Sequence, residues 1–366
     1  MRITAAVVEE RSGEFRLDDV ELDDPRPDEV LVKLAATGIC HTDLHARDGY
    51  FDMPYPAVYG HEGAGTVAAL GGAVTGLTVG DPVVISFPWC GHCAFCRVGS
   101  RAYCAHGRTL KSSGRRADGT PTLWRGDLPL AGAFFQQSSF ATYALAPARD
   151  VVRVRTDAPL AMLGPLGCGL QTGAGAVLNV MRPEPGQSFV VFGAGSVGLA
   201  GLMAAGIMGC DPIVAVDVRD NRLRLARSLG ATHVIDNRNG DAVAAIRDLT
   251  GGGAHFTLET SAVPEVFRQA VDCLRPRGTS ILVGSARRGV EAAFEMSHLQ
   301  QGRQVRGVIQ GDSRPDELIP RLVDLFVAGR FPLDRLIAFY DFAEINRAAA
   351  EAVAGAVIKP VLRLPQ

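Results

Sequence analysis

Ser188-Phe189-Val190-Val191-Phe192, followed by Gly193-Ala194-Gly195-Ser196-Val197-Gly198, is the stretch on which the fold turns. An apolar, β-branched run meets a glycine turn and passes into small and apolar residues, with no charge from Phe189 to Cys210. A charge-free segment of this length can be a membrane span or a buried strand that turns into a buried helix. The glycines favour the second, because G-x-G-x-x-G spacing at a strand-to-helix turn brings backbone N–H groups up to a pyrophosphate. Asp217 ends the next apolar run, nineteen residues beyond Gly198, where a carboxylate would bind the hydroxyls of an adenosine ribose.

Downstream, strands and helices of ordinary length alternate, the pattern of a parallel sheet built from βαβ units. Strands are predicted over Ser188–Phe192, Pro212–Asp217, His233–Ile235, Phe256–Glu259 and Thr279–Val283, with a sixth around Gln304–Ile309. Upstream, from Thr4 to about Val154, short runs such as Val30-Leu31-Val32 and Gly65-Thr66-Val67 lie between Gly and Pro turns and predict a β-rich domain. The pattern becomes helical near Pro159. Beyond Gln310 come a helix over Glu317–Val327, short strands and a last helix ending at Val357–Leu364, a tail expected to return to the first domain. Lys111 to Leu130 is polar and Gly-bearing and reads as a long surface loop.

At 366 residues the chain is too long for one ordinary core, so two domains are expected. Hydrophobic residues at 47% and charged residues at 21% place it among soluble globular proteins rather than disordered ones. The formal net charge of −2, without a basic run, argues against nucleic acid as a partner. Met1-Arg2-Ile3-Thr4-Ala5 leads directly into strand-like sequence without a signal peptide's apolar core, so a cytoplasmic protein without membrane attachment is expected. In that compartment eight cysteines suggest metal or catalysis before disulfides.

Cys90, Cys93, Cys96 and Cys104 stand in a C-x2-C-x2-C-x7-C pattern, interrupted by Gly91, Gly99 and Ser100. Four thiolates in one loop satisfy a tetrahedral zinc and leave no open position, as a structural site requires. An iron–sulfur cluster could use four cysteines too, but the spacing differs from the common ferredoxin runs. Four unrelated buried thiols would not be expected so densely placed. Cys40, His61 and Cys168 are each weak signals, since a lone Cys or His is more often an ordinary core or hydrogen-bonding residue. Together they match a two-Cys, one-His catalytic zinc whose fourth position stays open.

Thr37-Gly38-Ile39-Cys40-His41-Thr42-Asp43, Gly60-His61-Glu62-Gly63-x-Gly65, the four-cysteine loop, Cys168-Gly169-x-x-Thr172-Gly173 and the later glycine turn follow one another in a telling order. In that order the chain resembles the zinc-containing medium-chain alcohol dehydrogenases over essentially its whole length. His41-Thr42-Asp43 with Arg47-Asp48-Gly49 looks most like the aryl-alcohol (benzyl-alcohol) branch. The resemblance implies an α/β protein in which a GroES-like β-rich catalytic domain (residues 1–169) precedes a Rossmann, doubly wound cofactor domain (170–309), with 310–366 returning to the first. It implies two Zn²⁺ per subunit, NAD, and reversible oxidation of primary alcohols, aromatic or allylic, to aldehydes.

Carried over residue by residue, Cys40, His61 and Cys168 look like the catalytic zinc ligands and Glu62 like a carboxylate that can exchange with them. Asp43 would fix the tautomer of His61 from behind. Thr42 looks like the hydroxyl that takes the alcohol's proton, and His45 like the imidazole at the surface end of a relay; the chemistry needs both, because a metal that lowers the alcohol's pKa leaves a proton to be carried away. Thr42 could equally cap a helix beginning at Asp43, and His45 could simply be solvated.

Gly193, Gly195, Ser196, Val197 and Gly198 would cradle the pyrophosphate, with Asp217 favouring NAD over NADP. Arg219 and Arg222 complicate that preference, although Arg222 matches a basic residue used beside the ribose with NAD. Thr172 and Val283 also fall at cofactor positions. His41 stands where some members carry Arg on the pyrophosphate, and Lys359 matches a basic position near it. Phe51, Ser86, Phe134 and Phe135 align with the walls of the substrate pocket, with Phe87 and Trp89 close by in sequence; all these aromatics could be plain core.

A thiol-adduct formaldehyde dehydrogenase is the nearest alternative, but its charged substrate calls for basic pocket residues that the sequence does not identify. A zinc-free quinone or enone reductase and a non-catalytic relative are further alternatives; complete ligand sets and intact glycines argue against both. The segment between Cys104 and Phe140 has the length found in dimeric members, so a homodimer pairing sheets through Gln304–Ile309 is expected, with a tetramer possible. Cys210 and Cys273 are expected to be buried thiols.

Overall fold

In the computed structural model, which describes residues 1–365, the run Phe189–Phe192 forms an inner strand of a six-stranded, all-parallel sheet. The strands stand in the order His233–Asp236, Ile213–Asp217, Phe189–Phe192, Ala254–Glu259, Leu274–Leu282, Gln304–Gly307. The chain therefore builds outward from Phe189–Phe192 to one edge and then returns to build the other. The strand order reverses beside it, which is where sheets of this kind bind ligands, outside the carboxyl ends of their strands. Val190, Phe192, Val214 and Val216 pack with Ala242, Ile246, Ala270 and Cys273 on one face of the sheet. Cys273, and Cys210 at 7% exposure, are buried thiols as expected. The charge-free stretch continues as the helix Ser196–Ile207, in which every residue from Gly198 to Ala205 is buried. Among the described residues no helix is long and apolar enough to cross a membrane.

This unit comprises Gly169–Ser313 and Gly329–Pro332, so its limits differ from the expected 170–309. The reason is local. Ser313 Oγ donates to Gln171 Oε1 at 2.9 Å and Asn179 Nδ2 donates to the Gly311 carbonyl at 3.1 Å, tying residues 310–313 to the helical segment that begins at Gly169.

The other unit contains Met1–Cys168, Arg314–Ala328 and the chain from Leu333 onward. Its central strand, Glu29–Gly38, pairs antiparallel with Gly63–Leu70, Tyr143–Pro147 and Lys359–Arg363. Register shifts near Leu31 and Leu34 bend that strand, which lets it serve several neighbours. A second sheet runs Ala57–Val58, Arg2–Val8, Arg16–Leu22, Leu123–Arg125, Leu128–Leu130. Tyr59, Phe87, Phe134 and Phe140 are fully buried within the shared core.

Two expectations are corrected here. Lys111 to Leu130 is not one loop: the helix Gly107–Ser112 covers its start, and two short strands extend the second sheet. Between them Arg116 is buried, its guanidinium 2.7 Å from both Glu29 and Asp23. A buried ion pair gives a polar sequence an inside, which composition could not reveal. The last helix, Ile345–Ala354, stops at Gly355, whose φ of 69° is the left-handed conformation that ends helices. Lys359–Arg363 is a strand, not the helix end expected at Val357–Leu364, and it returns to Glu29–Gly38.

Candidate active site and metal centres

Cys40 stands at the N-cap of the helix His41–Arg47, immediately past the central strand. Its backbone N–H donates to Asp43 Oδ2 at 2.8 Å, closing the helix start with the third helical residue. Asp43 itself is therefore inside the helix, and Cys40, not Thr42, occupies the cap. The other Asp43 oxygen accepts from Gly60 N–H at 3.1 Å and lies 2.6 Å from His61 Nδ1. With Nδ1 on the carboxylate, Nε2 is left as the ring's second donor atom, and it lies 3.1 Å from Cys168 Sγ. Cys168 is carried in by the turn Gly164–Gly167, where a side chain at Gly164 would collide with the Glu62 carbonyl.

Cys40, His61, Glu62 and Cys168 thus place their ligand atoms within 4.8 Å of one another. Hydrogen bonding from Cys168 holds the Cys40 thiol well below its ordinary range against the effect of burial, with Lys359 adding its charge. Cys168 is correspondingly pushed up by Cys40 and by burial. Burial opposes charge on His61, but Asp43 more than offsets it and holds the imidazole up to about 10. Two thiols competing for one proton beside an imidazole locked by a carboxylate are a donor set that a divalent, thiophilic ion satisfies, and zinc fits it.

Lys359, expected beside a cofactor phosphate, is buried at 2% exposure. Its ammonium donates to both Glu62 oxygens at 3.0 Å and to the Ile39 carbonyl at 3.1 Å. The ion pair gives the lysine a partner that the sequence did not disclose: a carboxylate at 0% exposure demands an adjacent cation. Burial still raises Glu62 to about 7 despite the lysine.

In the cysteine loop the four sulfurs also lie within 4.8 Å of each other. Backbone N–H groups are aimed at them: that of Cys90 at Cys104 Sγ, that of Cys93 at Cys90 Sγ and that of Ala105 at Cys93 Sγ, at 3.3–3.4 Å. N–H groups of Ala105 and Cys96 bring Cys93 down to about 6, whereas burial pushes Cys96 up to about 12. This closed set of four thiols fits a structural zinc.

In the parallel-sheet unit Gly193 has a φ of 93°, and a side chain there would meet Thr260 Oγ1; one at Gly198 would meet the Gly193 carbonyl. Gly195 caps the helix that starts at Ser196 and Val197. Asp217 accepts from Ala194 N–H at 2.7 Å and from Val218 and Arg219 N–H, with Arg222 at 3.6 Å. The carboxylate and the glycine turn are one hydrogen-bonded assembly, with Arg222 over it. Thr172 donates to Gln310, and Val283 follows the strand Leu274–Leu282, its N–H on the Glu259 carbonyl. Sequence reasoning missed Thr260, whose hydroxyl bonds the Phe192 and Gly193 carbonyls at 3.0 and 2.9 Å behind the turn.

Of the residues expected to wall a substrate pocket, two lie against His61. Phe135 stacks on its ring at 4.4 Å, Phe134 meets it edge-on at 5.7 Å, and Phe51 leans on Phe134. Ser86 is fully buried, its hydroxyl donating to the Gly167 carbonyl. Phe87 is in the core, while Trp89 lies under the Arg101 guanidinium beside the cysteine loop. Phe135, Gln136 and Ser138 all have positive φ, a strained turn that presents two adjacent aromatics to one imidazole. Thr42 Oγ1 is 3.6 Å from Cys40 Sγ. His45 stacks on Tyr50 at 4.9 Å and His41 is exposed.

Two further residues escaped the sequence. Gln137 accepts from Gly63 N–H and donates to the His61 and Ser86 carbonyls, joining three parts of the site. Lys111 lays its ammonium over the rings of Phe87 and Phe135. Burial lowers its pKa, opposed by the charges of Cys168 and Cys104.

Comparison with known proteins agrees with this geometry. Residues 26–156 match the alcohol dehydrogenase GroES-like domain and residues 196–328 the zinc-binding dehydrogenase family. The chain is 44% identical to geraniol dehydrogenase of Castellaniella defragrans, over 98% of this chain and 96% of that one. It superposes on the crystal structure of benzyl alcohol dehydrogenase from Acinetobacter calcoaceticus with a TM-score of 0.97 at 44% identity, and on an alcohol dehydrogenase zinc-binding domain protein from Burkholderia ambifaria at 0.98 and 48%, each over the full length of both chains. The chain belongs to the zinc-binding medium-chain alcohol dehydrogenase family. It is an oxidoreductase with a GroES-like domain and a Rossmann-type parallel sheet, and its two donor sets accommodate two zinc ions.

Proposed function

We propose that this enzyme oxidises primary aromatic or allylic alcohols to aldehydes with NAD, using Cys40, His61 and Cys168 as catalytic zinc ligands and Cys90, Cys93, Cys96 and Cys104 for the structural ion. The observation that carries the reading is the buried donor set with His61 oriented by Asp43 at 2.6 Å. Zinc supplies the charge that lowers the alcohol's pKa, and NAD the acceptor for its hydride.

The protein's own residues do the rest. Thr42, beside Cys40, receives the alcohol proton, and His45 passes it toward solvent from the helix's last turn. Lys359 pairs with Glu62, so that a carboxylate can stand beside the donor group without being left unpaired. Phe51, Phe134 and Phe135 exclude water and offer flat apolar faces, which suits a conjugated alcohol. The activities for which the geraniol and benzyl alcohol dehydrogenases are named support the same substrate class. Asp217 favours NAD, because a 2′-phosphate would meet its charge. His41, Arg222 and Lys359, with Thr172 and Val283, are the remaining cofactor contacts in this reading. Self-association through the exposed edge strand Gln304–Gly307 would give a homodimer, and the thiol-rich chain is read as cytoplasmic.

The test is initial rates of NAD⁺ and NADP⁺ reduction with benzyl alcohol, geraniol, ethanol and the formaldehyde–glutathione adduct, before and after chelation. Zinc-dependent NADH formation, fastest with benzyl alcohol or geraniol, is expected. Preference for the adduct overturns the substrate class, and absence of turnover with zinc bound overturns the reading.

A further inference from the structure

Lys111 is a cation beside Phe135, one of the aromatics proposed to wall the substrate pocket, and neither the zinc chemistry nor the cofactor uses it. Its ammonium lies 5.7 Å from the centre of the Phe135 ring and 5.9 Å from that of Phe87. Phe135 in turn stacks on His61, so a single aromatic ring separates the lysine from the donor set. The placement is built. Gln136, at 5% exposure, donates to the Leu110 carbonyl at 3.0 Å and the Arg115 carbonyl at 2.7 Å, clamping the lysine's helix to the turn that carries Phe135. Leu110, the preceding residue, is packed against Cys96 and Cys104.

Ring faces attract an ammonium, but they accept no conventional hydrogen bond from its three N–H groups. Among the described residues Lys111 has neither a carboxylate partner nor a hydrogen-bond acceptor. The amine lies over Phe135 and the core ring of Phe87 and is not sealed from solvent, so its N–H donors are open to water or to an oxygen acceptor brought by a substrate.

We propose that Lys111 forms a subsite for an oxygen acceptor, best a carboxylate, on the part of the substrate remote from its alcohol group. The inference rests on the alcohol-oxidising reading above and narrows its substrate class from primary aromatic or allylic alcohols to those among them that also bear an acid group. Lys111 acts by positioning: the carboxylate of such a substrate takes the N–H donors, while its ring lies along the aromatic walls.

The experiment uses the zinc-loaded enzyme and compares benzyl alcohol, its methyl-substituted derivatives and the meta and para isomers of hydroxymethyl benzoate. Wild type, Lys111→Met and Lys111→Arg are each checked for two zincs per chain and an unchanged thermal melt. For at least one benzoate, wild type is expected to show kcat/KM above that of the equally shaped methyl compound. Lys111→Met should lower that preference about 10- to 100-fold, the range of a charge-assisted hydrogen bond, chiefly through KM. Benzyl alcohol should change little, and Lys111→Arg should restore part of the loss. A benzoate-to-methyl ratio that is equal in wild type and Lys111→Met overturns the subsite. Direct calorimetric binding of the benzoates to wild type and Lys111→Met tests the same point without turnover. Failure to oxidise any alcohol would then count against the proposed function, while loss of binding in Lys111→Met would still support the subsite.

Discussion

Asp43 and His61 are joined by a contact of 2.6 Å between two side chains with no exposure at all. The same carboxylate closes the helix behind Cys40, so one residue fixes the position of one proposed zinc ligand and the ring orientation of another. Asp43→Asn keeps the shape but removes the charge and can present an amide N–H to Nδ1. Zinc affinity at the catalytic site and kcat/KM should each fall about 10- to 100-fold, with the structural ion retained. Metal analysis after graded chelation separates the two ions, and an unchanged profile would reject the orienting role.

Asp217 joins the glycine turn to the next strand through its bond to Ala194 N–H. Asp217→Ser should lower kcat/KM for NAD by about tenfold or more and raise it for NADP, because Arg222 and Arg219 then face a phosphate without a competing carboxylate. The ratio of the two rates with one alcohol is the measurement. If the ratio does not move, cofactor choice resides elsewhere.

Arg116 and Glu29 form an ion pair with side-chain exposures of only 6% and 8%. Arg116→Met strands a buried carboxylate and should destabilise the protein by about 3–5 kcal/mol, while Arg116→Met with Glu29→Gln should recover much of that loss. Denaturant unfolding followed in the β-rich unit reads both. Equal losses in the single and double variants would mean that packing, not charge, is at stake.

Asp150 is 3% exposed and neither carboxylate oxygen has a well-formed hydrogen bond. Burial raises its pKa well above the usual value, only partly offset by Arg149 and the Trp89 N–H. The folded state therefore prefers the protonated acid. Its contribution to stability is complete below the unfolded pKa and is lost as pH rises through the folded one. Asp150→Asn should accordingly melt higher than wild type by about 2 °C or more at pH 8, with a smaller gap at pH 5. A gap independent of pH would show that Asp150 is not buried as an acid.

What the sequence disclosed depended on locality. The glycine turn, the cysteine loop and the three dispersed ligand segments are short words whose meaning lies in their own spacing, and each was readable with its strand or helix. Lys111, Gln137, Thr260 and Arg116 have no such word: each gains its role from a residue tens of positions away, such as Glu29 for Arg116. Lys359 matched a familiar basic position, yet its partner Glu62 lies almost three hundred residues earlier in the chain. The strained turn at Phe135 was hidden because no glycine marks it. The helix Gly107–Ser112 is too short for a period to emerge from a polar segment.

The strand Lys359–Arg363 also has a consequence for the order in which the molecule is made. It pairs with Glu29–Gly38, near the opposite end of the chain. During synthesis the parallel-sheet unit, nearly continuous in sequence, can be finished while the β-rich unit still waits for its final strand. Until that strand leaves the ribosome, Glu62 lacks its lysine and the Ala36–Gly38 end of the central strand keeps an unpaired edge. Completion of the donor set's surroundings thereby waits on Lys359: a product that stops before it can possess every thiol and imidazole of the donor set and still lack the cation that faces Glu62.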